Sequence, residues 1–172
     1  LVMGINQGMQ PIVGYNYGAQ KLDRTMGVLK LGIVFATVIM TAGWLIAMLL
    51  PYYCARLFTT DDTLIRLAIK AIRILMLVFP IIGYQMVVTN FFQSIGKVKI
   101  SILLSLSRQL LLLLPLLAVL PEVFGIDGVW YAMPVSDFLS ALLAAWVMAV
   151  YMRKFKKQHK ALTYGRQEEH HH

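Results

Sequence analysis

Acidic residues are what this chain most lacks. Eight Asp and Glu stand against 16 Lys and Arg in 172 positions, and charged residues of both signs make up only 14% of the sequence. A soluble domain carries about a quarter charged residues, so this composition excludes an ordinary water-soluble fold. Cys54 is the one cysteine, which excludes an internal disulfide. His159 sits in a basic run and the other histidines are the last three residues, so no His/Cys cluster has metal-ligand spacing. No Gly-rich loop ends in Gly-Lys-Ser or Gly-Lys-Thr, and no two carboxylates share an apolar run. The chain is therefore not expected to be an enzyme, and it calls for no cofactor and no metal. Any transport it performs has to be powered by a gradient or by a partner.

What remains is apolar. Hydrophobic residues make up 59% of the chain, and the mean hydropathy is +0.69. Leu31–Ala55 and Ile74–Gly96 contain no charged residue. Gln109–Pro121 is also uncharged and reaches spanning length once Ile100–Arg108 is added, while Gly128–Met152 carries Asp137 alone. A spanning helix needs roughly 20 apolar residues, so four full membrane helices are expected. Leu1–Gln20 is close to one span long but starts without Met or a charged flank. It reads as a partial helix of a larger protein whose start lies upstream, not as a signal peptide. The fold class is all-α, a polytopic membrane helix bundle of one partial and four full helices.

The basic excess follows alternate loops. Lys21, Arg24 and Lys30 follow the first span, Lys97 and Lys99 lie between the third and fourth, and Arg153, Lys154, Lys156, Lys157 and Lys160 follow the last. This is positive-inside patterning, with a cytoplasmic C-terminus and contact to anionic membrane lipid, and it argues against nucleic acid as a partner. In chain order, Leu1–Tyr17 is predicted as a helix and Gly18–Thr25 as a cytoplasmic link. The second helix is predicted at about 28–52. A helix start follows at Thr60-Asp61-Asp62-Thr63, with the hydroxyl as its cap. Arg66, Lys70 and Arg73 share one face there, so the first part lies at the interface. The third span then carries a kink at Pro80 and Gly83, the fourth (about 100–120) a kink at Pro115, and Pro121–Gly128 is an external loop before a last helix at about 129–152. Residues 158–172 form a cytoplasmic tail, whose His170–His172 resemble the remnant of a purification tag.

Charge inside a bilayer is expensive and marks candidate function. Two roles fit Asp137: an ion-coupling carboxylate that exchanges a proton or cation, or a structural acceptor for Ser136, Ser140 or a neighbouring helix. Arg108 is long enough to snorkel to the cytoplasmic headgroups, which favours a structural role. Uncharged polar residues form a second set. Asn6 and Gln10 are four apart on the first helix beside Gln7, and Gln85, Thr89, Asn90 and Gln93 descend the third. Such groups either line an aqueous path or bond across helices. Ten Met residues, with Tyr15, Tyr17, Phe79, Tyr84, Phe91 and Phe92, would equally serve as packing or as a soft surface for apolar cargo. The candidate cavity-lining residues are Gln7, Gln10, Asn16, Tyr84, Gln85, Asn90 and Gln93, and Pro11, Pro80 and Pro115 are candidate kink or gating positions.

The most distinctive stretch is Gln7-Gly8-Met9-Gln10-Pro11-Ile12-Val13-Gly14-Tyr15-Asn16-Tyr17-Gly18-Ala19. Its glycines are spaced as small-xxx-small pairs, Gly4 with Gly8 and Gly14 with Gly18, which allow close helix approach. Together with Phe91–Lys97, with Ser107-Arg108-Gln109 running to Pro115, and with Gly125–Trp130 followed by Pro134–Asp137, it resembles the MATE (multidrug and toxic compound extrusion) family, in particular its bacterial MepA-like branch. The likeness covers about residues 1–157. It implies twelve helices in two lobes and export of small organic cations in exchange for protons or sodium. On that map residues 1–157 are helices eight to twelve of the C-terminal lobe, in a bacterial plasma (inner) membrane, and the N-terminal lobe is a missing partner. The family's proton carboxylate lies in the absent lobe. The third span here has no acid between Arg73 and Lys97, which leaves Asp137 as the one embedded carboxylate. Two other readings stand beside the exporter: a flippase for lipid-linked precursors on the same superfold, which calls for a cationic cavity, and a membrane assembly module without a water path.

Overall fold

The structure, a computed structural model, describes the backbone of residues 1–169 and the side chains as far as Ala161. The expected tag remnant at His170–His172 lies outside the described residues. The described chain is all helical: α1 (Val2–Gly18), α2 (Leu22–Leu49), α3 (Pro51–Arg56), α4 (Asp62–Leu75), α5 (Phe79–Ser94), α6 (Val98–Leu106), a π-helical segment at Ser107–Leu113, α7 (Leu114–Phe124) and α8 (Ile126–Glu169). By length and composition three stretches can cross a membrane: Leu22–Leu49, Val98–Phe124 and Ile126–Ala161.

The expected third span is two helices, not one kinked helix. Pro80 lacks an amide hydrogen and its ring would clash with the carbonyl four residues back, at Met76. The chain leaves helical geometry at Met76–Val78 and restarts at Phe79, with Pro80 in the first turn of α5, where no donor is missed. At 16 residues α5 is about 24 Å long, shorter than the apolar core of a bilayer. Upstream, Asp61 and not Thr60 caps α4, its Oδ1 accepting from the amides of Thr63 (2.8 Å) and Leu64 (3.3 Å).

Three further boundaries differ from expectation. Leu22–Thr25 is the first turn of α2 and not a link, and the Thr25 hydroxyl donates back to the Lys21 carbonyl at 3.1 Å. The expected loop at 121–128 shrinks to one turn, because Gly125 adopts φ 66° and reverses the chain between α7 and α8. Glycine takes that conformation without steric cost. Finally, α8 runs on beyond the end expected for the last helix at about 152. Lys, Arg and Gln favour helix, and no Gly or Pro interrupts 135–164.

The core forms around α5, whose Val87, Val88, Phe91 and Phe92 are fully buried between α1, α2, α6 and α8. Small residues let the neighbours close in. On α8 the buried positions Gly128, Ala132, Ser136, Ser140, Ala144 and Met148 recur every four residues, one continuous ridge of mostly small side chains. Of the four glycines expected to permit close approach in α1, only Gly14 meets a neighbour, the Ser94 carbonyl; Gly4, Gly8 and Gly18 face open space.

The two ends of the bundle differ in charge. One end gathers the α1–α2 and α5–α6 turns and the far part of α8, with Lys21, Arg24, Lys97, Lys99, Arg153 and Lys154. The other carries Arg56, Arg66, Lys70 and Arg73 against Asp61, Asp62, Glu122 and Asp127, and Lys70 Nζ pairs with Asp127 Oδ1 at 2.7 Å. The first end is strongly basic, and the second is balanced.

Candidate functional site: an amide-lined cleft beside an embedded ion pair

A cleft of about 380 Å³ opens between α1, α5 and the α6–π segment. Its polar lining comes from Asn6 and Gln7 on α1, Gln85, Thr89, Asn90 and Gln93 on α5, and Ser105, Arg108 and Gln109 on the third wall, with Met3 and Met86 beside them. The walls are tied together. Asn90 Nδ2 donates to the Asn6 carbonyl at 3.0 Å, and the Thr89 hydroxyl donates to the Gln85 carbonyl at 2.9 Å, which hides its hydrogen from the cleft. Asn6 Oδ1 is buried without a partner, an acceptor left free at the cleft wall.

Behind this cleft lies a smaller cavity of about 150 Å³, lined by Arg108, Gln109, Leu113, Met133, Ser136 and Asp137. Arg108 and Gln109 border both spaces, so they form the partition. Arg108 Nε donates to Asp137 Oδ1 at 2.6 Å, with side chains 32% and 13% exposed. Ser136, itself buried, donates from Oγ to the Arg108 carbonyl at 2.9 Å, so two adjacent residues of α8 hold one residue of the π segment. Arg108 does not snorkel to the headgroups; its charge is met within the bundle. Arg108 lies ten residues into the helix that starts at Val98, about 15 Å from its end.

The π register matters for this contact. Pro115 cannot donate to the carbonyl four residues earlier, and the chain meets that deficit by widening the turns at 107–113 instead of by a simple kink at 115. The wider turns rotate the side chains around Arg108 away from α-helical positions. Turns of π-helix within α-helices occur frequently at functional sites.

The structure brings Gln7, Gln85, Asn90 and Gln93 together in the cleft and sets Asp137 just behind it. Three other candidates stand elsewhere. Gln10 is exposed outside the cleft, Tyr84 packs against the apolar core, and Asn16 spends its Nδ2 on the Ile12 carbonyl of its own helix at 2.8 Å. Pro11 lies inside α1. Ser105 and Gln109 are not among the sequence candidates, although their i, i+4 spacing within a Leu-rich run marks a polar face.

Residues 1–119 match the family model described as MatE. The chain belongs to the MatE family. Among curated relatives, the multidrug export protein MepA of Staphylococcus haemolyticus is 24% identical over 148 residues, which cover 86% of this chain and 32% of that protein. Among solved structures, the MATE multidrug transporter DinF-BH in complex with rhodamine 6G is 42% identical, with a TM-score of 0.81 over 86% of this chain and 33% of that one. An inward-facing MATE transporter of the MOP superfamily is 21% identical, with a TM-score of 0.83 over 91% of this chain and 37% of that one, a likeness of fold. The chain thus spans about a third of the length of these MATE proteins.

Proposed function

We propose that the chain is the C-terminal-lobe part of a secondary active multidrug exporter, and that the cleft is one wall of its cargo path. The transporter carries small organic cations outward in exchange for protons or sodium. The observation behind this reading is the chemistry of the cleft. Its lining is amide, hydroxyl and thioether, and its one cation is already offset by Asp137. Such a wall can solvate a flat cation through carbonyl oxygens and polarizable sulfur without demanding one shape. The rhodamine 6G complex of the related DinF-BH supports the same cargo class.

Alternating access needs two lobes, so the activity belongs to the full-length transporter. The basic end of the bundle faces the cytoplasm, following the positive-inside rule. A flippase for anionic lipid precursors would call for unpaired positive charge in the cavity, and the Arg108–Asp137 pair speaks against that reading. The test is rhodamine 6G uptake into proteoliposomes of the full-length transporter under separate proton and sodium gradients. Gradient-driven movement under either ion supports the exporter, and none under both overturns it.

A further inference from the structure

We infer that Gln85 sets which cations the cleft accepts: its amide selects cargo that carries an N–H group over cations whose nitrogens are fully alkylated. This rests on the exporter reading above and adds to it a chemical class of cargo and the residue that recognises it. Gln85 is only 4% exposed, and it lines the cleft. Its backbone carbonyl accepts from Thr89, but its side-chain amide makes no hydrogen bond among the described residues. The rotation of α5 holds it there. Val87 and Val88 are fully buried, and Gly83 packs so closely on α2 that a Cβ would lie 3.1 Å from the Ala36 carbonyl oxygen. Two residues on, about 200° around the helix, Gln85 points away from α2 and toward the cleft. A buried amide left unpaired costs stability, and that cost is relieved when a molecule in the cleft bonds to it.

The neighbouring polar groups fix what the cargo must supply. Thr89 stands one turn on from Gln85 and also lines the cleft; its hydroxyl hydrogen goes to the Gln85 carbonyl at 2.9 Å, which leaves its oxygen as an acceptor. Asn90 Nδ2 is engaged by the Asn6 carbonyl at 3.0 Å, and Asn6 Oδ1 has no partner. On the α1–α5 wall, then, these donors are committed inside the protein while acceptors are left over. Arg108, a donor on the facing wall, bonds Asp137 and not Gln85. A flat cation with N–H on its conjugated edge brings the missing donor, and a bond from a charged donor is roughly twice as strong as a neutral one. Exchanging that hydrogen for a second alkyl group keeps the charge and the flat shape. It removes the donor, however, and sets carbon against the Gln85 oxygen, which stays desolvated and unpaired. Added methylenes alone are distinguished weakly by an apolar wall, whereas a polar group left unmet rejects the wrong cargo more strongly.

The experiment compares two dyes on the purified full-length transporter by fluorescence anisotropy. One is rhodamine 6G, whose amino nitrogens each carry a hydrogen; the other is a rhodamine ethyl ester of the same charge whose nitrogens are each diethylated. The wild type is expected to bind rhodamine 6G at least about tenfold more tightly than the diethyl dye. Gln85→Met, close to Gln in length and volume, is expected to bind rhodamine 6G about tenfold more weakly than the wild type and the diethyl dye unchanged, which erases the preference. Unchanged binding of the diethyl dye shows that the cleft is intact in this variant. Gln85→Glu keeps an acceptor oxygen in the same place and is expected to keep the preference, because its charge strengthens binding of both dyes alike. Equal wild-type affinities for the two dyes would overturn the inference, as would a preference that survives in Gln85→Met. Equal weakening of both dyes in Gln85→Met would overturn it too, since Gln85 would then hold the structure or the other lobe instead of reading the cargo. Binding of neither dye to the wild type removes the exporter reading and this inference together, whereas a failure confined to the ratio of the dyes leaves the exporter reading intact.

Discussion

Asn90 and Asn6 stand 84 positions apart in sequence, and the Asn90 amide donates to the Asn6 carbonyl at 3.0 Å. This bond spans two helices, fixes the spacing of two cleft walls, and occupies a carbonyl that α1 would otherwise keep to itself. Replacing Asn90 with Ala removes the donor and is expected to lower stability by about 1–2 kcal/mol. Asn90→Asp is expected to cost more, because an ionised carboxylate only accepts and would face the Asn6 carbonyl. Thermal unfolding of the full-length transporter in detergent checks the order: wild type, then Ala, then Asp.

Three glycines rank by what a methyl group would meet. A Cβ at Gly128 would collide with the Leu120 carbonyl and the Pro121 nitrogen, backbone atoms of α7 that cannot turn away. At Gly83 it would lie 2.9 Å from Met40 Cγ and 3.1 Å from the Ala36 carbonyl oxygen, one movable neighbour and one fixed. At Gly32 it would meet Met9 Sδ at 2.7 Å, the far part of a flexible side chain. Overpacking costs about 1–3 kcal/mol where neighbours cannot give. The expected order of damage is Gly128→Ala, then Gly83→Ala, then Gly32→Ala, read from melting temperatures; Gly32→Ala as the worst of the three would refute it.

The far part of α8 is strapped to the α1–α2 turn. Tyr17 stacks on Phe155 at 6.4 Å between ring centroids, Tyr151 Oη lies 3.4 Å from Tyr17 Oη, and His159 Nε2 lies 3.8 Å from Asp23 Oδ1. Phe155 is buried within this contact. Phe155→Ala is expected to speed proteolysis at the Lys156–Lys160 segment several-fold, because cleavage follows the population of the opened state. Phe155→Leu, which keeps apolar bulk, is expected to protect most of it.

Membrane helices were legible from sequence because an uncharged apolar run of about 20 residues matches the thickness of a bilayer core and little else. The details that decide the site were not. Pro80 announced an irregularity but not whether the helix would kink or stop. Pro115 announced another, yet the distortion fell at 107–113, a Leu-rich stretch in which every register buries similar surface. The amides on α1 and α5 could be read as polar faces by their spacing, and four of the seven candidates line one cleft. Gln10 and Asn16 carry the same amide chemistry, and Tyr84 a phenol, on other faces of their helices, a distinction that depends on helix rotation. The Arg108–Asp137 contact joins residues 29 apart through a helix crossing at a π-helical turn, and no local pattern encodes it.

Asp137→Asn tests coupling apart from assembly. In proteoliposomes of the full-length transporter the variant is expected to insert and elute as the wild type does, while rhodamine 6G export falls at least about tenfold under a proton gradient. Unchanged export would remove Asp137 from the coupling step.

The claim that this cleft belongs to the cargo path is tested most directly by protection. Cys54 is first replaced by Ala, and single cysteines are then placed at Gln7, Gln93 and Gln10 of the full-length transporter. Each is labelled with a water-soluble thiol reagent, with and without saturating rhodamine 6G. The account predicts that the dye slows labelling at Gln7 and Gln93, which line the cleft, and leaves Gln10 unchanged. Equal labelling at Gln7 and Gln93 with and without the dye, in protein that binds it, would contradict the account.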